Sequence, residues 1–160
     1  GSVERFPHLS NWSYSTPLEI FSPVQETGPE TNVTYRGWLS QPELLLELSK
    51  GGLGLVWGVE EDPADEPEYY SLNISHKSAT YLAAGIPVIV PSYLSNANLI
   101  RERGLGFVVD SLEEANRIVE NLTEEEYQAI LERVRKFSFL LKEGYFSKKV
   151  LLDAVMEVLT

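Results

Sequence analysis

The spacing of apolar and polar positions changes several times along the chain, and each change marks an element. Residues 1–16, GSVERFPHLSNWSYST, show no period, and a loop is expected there. The run LEIF at 18–21, closed by Ser22 and Pro23, predicts a short buried strand. A turn-like stretch at 25–30 leads to a second short strand at 32–35, stopped by Arg36 and Gly37. From Ser40, the pattern SQPELLLEL predicts a helix with Ser40 as N-cap, Pro42 in the first turn and Glu43 completing a capping box; Gly51 and Gly52 end it. An apolar strand follows at 53–57, then EEDPADEPE at 60–68, whose six acids and two prolines predict a solvated loop.

Residues 73–92 read NISHKSATYLAAGIPVIVPS. A polar turn opens a helix of small residues, Gly85 and Pro87 break it, and Val88, Ile89 and Val90 form a bare apolar strand. Residues 96–103 predict a short helix stopped by Gly104, and 107–109 one more strand. Two further capping boxes, Ser111 with Glu114 and Thr123 with Glu126, open helices; Gly144 ends the second, and 147–159 predict a last helix.

Strands and helices alternate from 18 to 122, with helices filling the C-terminal third. That order predicts an α/β fold, a Rossmann-like parallel sheet sandwiched by helices with extra helices at the C-terminus. All-apolar strands of this kind are buried on both faces. A chain of 160 residues fits a single domain spanning 1–160, with Gly1-Ser2 as a cloning scar, and such a domain buries roughly 68–70% of its unfolded surface.

The net charge is −11, so the attraction that drives nucleic-acid or membrane-surface binding is missing. No apolar run approaches the ~18 residues of a membrane span, no signal peptide opens the chain, and a cytoplasmic protein is expected. On that expectation the N-x-S/T triplets at Asn11, Asn32, Asn73 and Asn121 are chance matches. With no cysteine and only His8 and His76, far apart, no transition-metal site is expected. Acids set between prolines at 60–68 do not fix the convergent geometry of a divalent-ion site. No nucleophile elbow supports hydrolase chemistry.

Chemistry concentrates at residues 75–78. In open parallel sheets, ligands bind where strand ends lead into helix starts, and a helix N-terminus offers unpaired N–H groups that favour phosphate. Ser75, His76, Lys77 and Ser78 occupy such a start, and Lys77 would add a full charge. An ordinary serine cap beside a solvated lysine gives the same pattern, so spacing alone leaves both readings open.

The order of a short strand, Arg36-Gly37-Trp38, a capped helix, an apolar strand, an acidic loop and then SHKSATYLAAGIPVIV at 75–90 resembles the C-terminal, nucleotide-sugar-binding half of GT-B glycosyltransferases. The likeness is closest to the bacterial glucosyltransferases that extend glycans on serine-rich adhesins, with galactofuranosyltransferases next. It is specific at 75–90 and general over 18 to about 120. The resemblance implies a UDP-sugar donor whose diphosphate meets Lys77, with His76 and Ser78 beside it, Tyr81 near the nucleotide and Asn73 on the sugar side. Trp38 and the Trp57-Gly58 pair are implied at the rim near a uracil base, although each tryptophan equally suits a packing role. Residues 91–97 would complete the wall.

The chain departs from the family pattern twice. The E-x7-E carboxylates of many retaining relatives fall here on Leu72 and Thr80, and the Gly-Asn-Leu turn of the adhesin-type relatives is replaced by Pro7-His8-Leu9 and Ser10-Asn11. Since GT-B enzymes react between two domains, one such half is expected to bind donor but not to transfer sugar alone. Its acceptor, a glycan or glycoprotein, would come through the other domain, toward which the last helix would reach; a homo-oligomer of the full-length protein is compatible, and no cofactor or metal is required. Two other readings stand beside this one: half of a nucleotide-sugar epimerase, and a non-catalytic α/β interaction module with an acidic face.

Overall fold

The computed structural model describes residues 12–23, 32–57 and 75–159. Residues 1–11 of the loop expected at 1–16, the turn at 25–30 and the acidic loop at 60–68 lie outside these, while 12–16 carry no helix or strand, as expected. The described elements are β1 (Leu18–Ile20), β2 (Val33–Tyr35), α1 (Gln41–Leu48), β3 (Gly54–Leu55), α2 (His76–Ala84), β4 (Val88–Pro91), α3 (Ala97–Arg103), β5 (Gly106–Val109), α4 (Leu112–Asn121), α5 (Glu124–Lys142) and α6 (Tyr145–Leu159). All pairings are parallel, as expected, but they form two small sheets: β1 beside β2, and β3, β4 and β5 in that order. The fold is Rossmann-like α/β.

Strand β4 holds the layers together because every residue of it is buried. Successive side chains of a strand point to opposite faces, and the core divides accordingly. Val88 and Val90 join Leu82 of α2, Ile100 of α3, and Ile130 and Val134 of α5 on one face. Ile89 joins Trp12, Trp57, and Leu112 and Ala115 of α4 on the other. Helices therefore cover both faces, which is why the strand carries no polar position.

Helix α5 fastens the amino edge of this sheet. The Tyr127 hydroxyl donates to the carbonyl of Gly52 and accepts from its N–H, at 3.2 and 3.0 Å. Arg133 Nε donates to the carbonyl of Gly104 and Ser138 Oγ to that of Ala83. Two turns that feed strands and the last turn of α2 are thus pinned by one helix.

The capping boxes are realised unevenly. At Thr123 both arms form: its Oγ1 accepts from the Glu126 N–H and its own N–H donates to Glu126 Oε2. At Ser111 only one arm forms, because Glu114 turns back to accept from the Asp110 N–H. Removing the complete cap, in Thr123→Ala, costs about 1 kcal/mol. A melting experiment should show the Tm falling by about 2–4 °C, the shift that such a loss produces in a domain of this size; an unchanged Tm would mean that α5 is held by packing alone.

Helix α6 is different in kind. All of its described side chains are exposed, and they include Val150, Leu151, Leu152, Val155, Met156, Val158 and Leu159. Phe146 meets Phe137 of α5 in a tilted ring contact, at 5.3 Å between centroids. Among the described residues, no helix is long and apolar enough to cross a membrane.

Candidate functional site

The turn after α2 leads through Ile86 and Pro87 directly into the amino end of β4. A helix of 9 residues rises about 13 Å, close to the length of a four-residue strand. The first turn of α2 therefore stands at the opposite, carboxyl edge of the sheet, where β3 and β4 end.

That turn brings together three of the residues singled out by sequence. His76, Lys77 and Ser78 are its first three positions. Their N–H groups precede any intrahelical partner, and the Ser75 side chain, at the N-cap position, makes no capping bond to them. Serine as an ordinary cap is thus not what the structure shows. Ser78 is 1% exposed, and its Oγ has no hydrogen-bond partner among the described residues. A buried hydroxyl without a partner costs about 1–3 kcal/mol relative to a satisfied one, so among the described residues this one is left open to a polar group.

Lys77 is half-buried, and burial pushes its ammonium below the ordinary lysine value. Its charge is held partly out of water, where an anion gains more from it than from a solvated lysine. His76 is exposed at the surface of the same turn.

Across the rim, the segment after β4 adds a residue that spacing did not single out. Asn96 is 8% exposed and its Oδ1 likewise lacks a partner. The one signal was an asparagine in the wall segment that follows an all-apolar strand. Nearby, the Ser92 hydroxyl donates to the Asp110 carboxylate and ties the carboxyl ends of β4 and β5 together.

Other sequence candidates fall elsewhere. Trp38 follows the β2 terminus, on the second sheet; it is 73% exposed, so a packing role does not describe it. Trp57 is buried in the core with Ile89 and Leu112, which is a packing role. Tyr81 packs its ring over Gly54, where an added Cβ would lie 2.3 Å from the ring carbon Cγ, and burial raises its phenol pKa. Arg36 is paired with Glu19 across β1 and β2. Asn73 and Gly58 lie outside the described residues. Among the described residues, no three His, Asp or Glu side chains group in a way that could hold a metal.

A half-buried lysine, open amides and a hydroxyl without a described partner on one helix turn have the donors and charge that a compact anion requires. The chain is 86% identical over its full length to a Glucosyltransferase 3 of Streptococcus gordonii, of which it covers 48%. It is 38% identical over 99% of its length to a Glucosyltransferase 3 of Streptococcus parasanguinis, covering 47% of that protein. With the Beta-1,6-galactofuranosyltransferase WbbI of Escherichia coli (strain K12) it shares 28% identity over 67% of its length and 33% of the relative's. The chain thus spans about half the length of the two glucosyltransferases. Residues 1–154 match the family described as "Glucosyltransferase 3-like, C-terminal domain", and the chain belongs to that family.

Proposed function

We propose that this chain is the donor-binding domain of a glycosyltransferase, in which the first turn of α2 receives the diphosphate of a UDP-sugar and the other half of the protein supplies the acceptor, a glycan or glycoprotein. The observation that carries the reading is the orphaned Ser78 hydroxyl beside the half-buried Lys77 at an uncapped helix start. Family membership supports the reaction class. In the transfer of a hexose, the bond from the anomeric carbon to the β-phosphate oxygen breaks, and the charge left on the nucleoside diphosphate grows. Lys77 and the α2 amides stabilise that charge as it develops. Asn96, in the segment after β4, offers an acceptor for a donor hydroxyl. The apolar face of α6 fits cover by the remainder of the longer protein.

Calorimetric titration with UDP, UDP-glucose, GDP and ADP tests this. Saturable binding with uridine preferred is expected; silence toward every nucleoside diphosphate at millimolar concentration would favour a non-catalytic interaction module instead. An epimerase half would bind UDP equally well and is separated from a transferase by the product formed from UDP-sugar by the full-length protein.

The pH dependence has a definite sign. A phosphate favours the ammonium form, so binding takes up a proton wherever the Lys77 amine is neutral in the free chain. Affinity should be constant near neutrality and fall as pH rises through the lowered Lys77 pKa, before the ordinary lysine value of about 10.4 is reached. Folding responds oppositely: the unfolded chain holds that proton more tightly, so the cost of the buried charge is relieved over the same alkaline window. Isothermal titration from about pH 7 to 10 reads the first effect, and affinity unchanged throughout would remove Lys77 from the site.

A further inference from the structure

A second concavity, of about 780 Å³, lies at the amino edge of the sheet, on the far side from the α2 N-terminus. Its floor is the two glycine turns at Gly51-Gly52 and Gly85, which feed β3 and β4; its wall is α5. The size falls within the range of about 300–1,000 Å³ typical of small-molecule sites. What distinguishes it is charge. Lys50, Arg135 and Lys142 line it and no carboxylate does, in a chain whose net charge is −11.

Two of these cations have no assigned work. Lys50 is paired with Glu47, whereas Arg135 and Lys142 enter no ion pair among the described residues. They lie seven positions apart on α5, roughly 10 Å along its axis, and Phe139 stands between them on the same stripe, 64% exposed. A cation, an exposed ring and a second cation on one wall present charge and an apolar surface together. The floor cannot compete for the anion. Its amides are already spent, Gly52 on the Tyr127 hydroxyl, Gly85 on the Leu82 carbonyl and Ile86 on the Tyr81 carbonyl. It offers room instead: a Cβ built on Gly52 or Gly85 would meet no atom within 4 Å.

We propose that this concavity is a second binding site, for a small molecule bearing a phosphate or carboxylate and an apolar ring, with Arg135 and Lys142 holding the anionic groups and Phe139 the ring. The site is independent of the donor site, since it shares no residue and lies at the other edge of the sheet.

The competing account is that these cations only offset the partial negative charge at the C-termini of α1, α2 and α5. Titration of the chain with phenyl phosphate, inorganic pyrophosphate and neutral benzyl alcohol, followed by amide NMR, separates the two. The expected result is saturable shifts at Gly52, Gly85 and Phe139 with phenyl phosphate, weaker ones with pyrophosphate and none with benzyl alcohol, and an affinity that falls with added salt. Arg135→Gln and Lys142→Gln should each weaken phenyl phosphate binding by about tenfold, the loss of one charge-assisted hydrogen bond. Both side chains are exposed, so the folded spectrum should persist; if a variant nevertheless unfolds, the salt dependence and Phe139→Ala decide. Lys77→Ala should leave the shifts unchanged. Absence of shifts at millimolar ligand, shifts that persist in both cation variants, or shifts confined to 75–78 would each overturn the proposal.

Discussion

Lys77→Ala should weaken UDP binding by roughly 10- to 100-fold, the range of a lost hydrogen bond between charged partners, about 1.5–3 kcal/mol. The loss is expected to exceed that of a surface lysine because Lys77 is already partly desolvated: much of the cost of stripping water from the cation is met during folding, not on binding. For the same reason the unliganded variant should be no less stable than the parent, since the substitution removes a charge that burial disfavours. Affinity and stability therefore move apart, which a general loss of structure cannot mimic. Lys77→Arg keeps the charge but replaces a compact ammonium with a planar fork, and only partial recovery is expected. Titration calorimetry paired with thermal unfolding reads both quantities. Equal affinity in the parent and Lys77→Ala would move the phosphate away from the first turn of α2.

How much of this was legible in the sequence differs by feature, for physical reasons. The order of elements was, because glycines, prolines and caps punctuate it: Ser40, Thr123 and Gly104 stand at ends of helices as expected, while α1 stops at its C-cap Ser49, two residues before Gly51. The alternation that places Val88 and Val90 on one face and Ile89 on the other follows from any buried strand. The split into two sheets was not legible, because lateral pairing depends on which strand edges meet in space, and a three-residue run such as VTY says nothing of its neighbour. The tryptophans show the same limit. Trp38 and Trp57 both close short strands, yet one is exposed and the other buried, since the side on which a strand-end ring falls is set by the face it continues. At residues 76–78 spacing left an anion site and an ordinary cap both open; the missing Ser75 cap bond, and the Ser78 hydroxyl and Asn96 side-chain carbonyl without partners among the described residues, emerge only from packing.

Gly106→Ala is expected to be the most damaging single substitution in the core, and the reason is backbone rather than side-chain packing. Gly106 opens β5 and is registered against Val88 of β4. A Cβ there would stand 1.8 Å from the Val88 carbonyl oxygen and 2.7 Å from its nitrogen, and neither atom can turn aside as a flexible side chain would. Its φ of +156° adds a conformation that L residues rarely adopt. Relief requires β5 to move off β4, with loss of the pairing that sets Ser92 and Asp110 side by side at the carboxyl rim. A cost of about 3 kcal/mol or more follows, at the upper end of overpacking effects, and a fall in Tm of roughly 10 °C. Gly85→Ala supplies the control. Gly85 also has a positive φ, +87°, but nothing lies within 4 Å of its added Cβ, so only the left-handed strain of about 1–2 kcal/mol remains. Parallel urea melts should separate the two by at least the difference; equal destabilisation would show that conformation alone, and not the contact of β5 with β4, requires glycine at 106. Donor affinity provides the last distinction. At low temperature, where both variants are still folded, Gly106→Ala should lose UDP affinity only as far as the rim after β4 is displaced, whereas Lys77→Ala loses it with the rim intact.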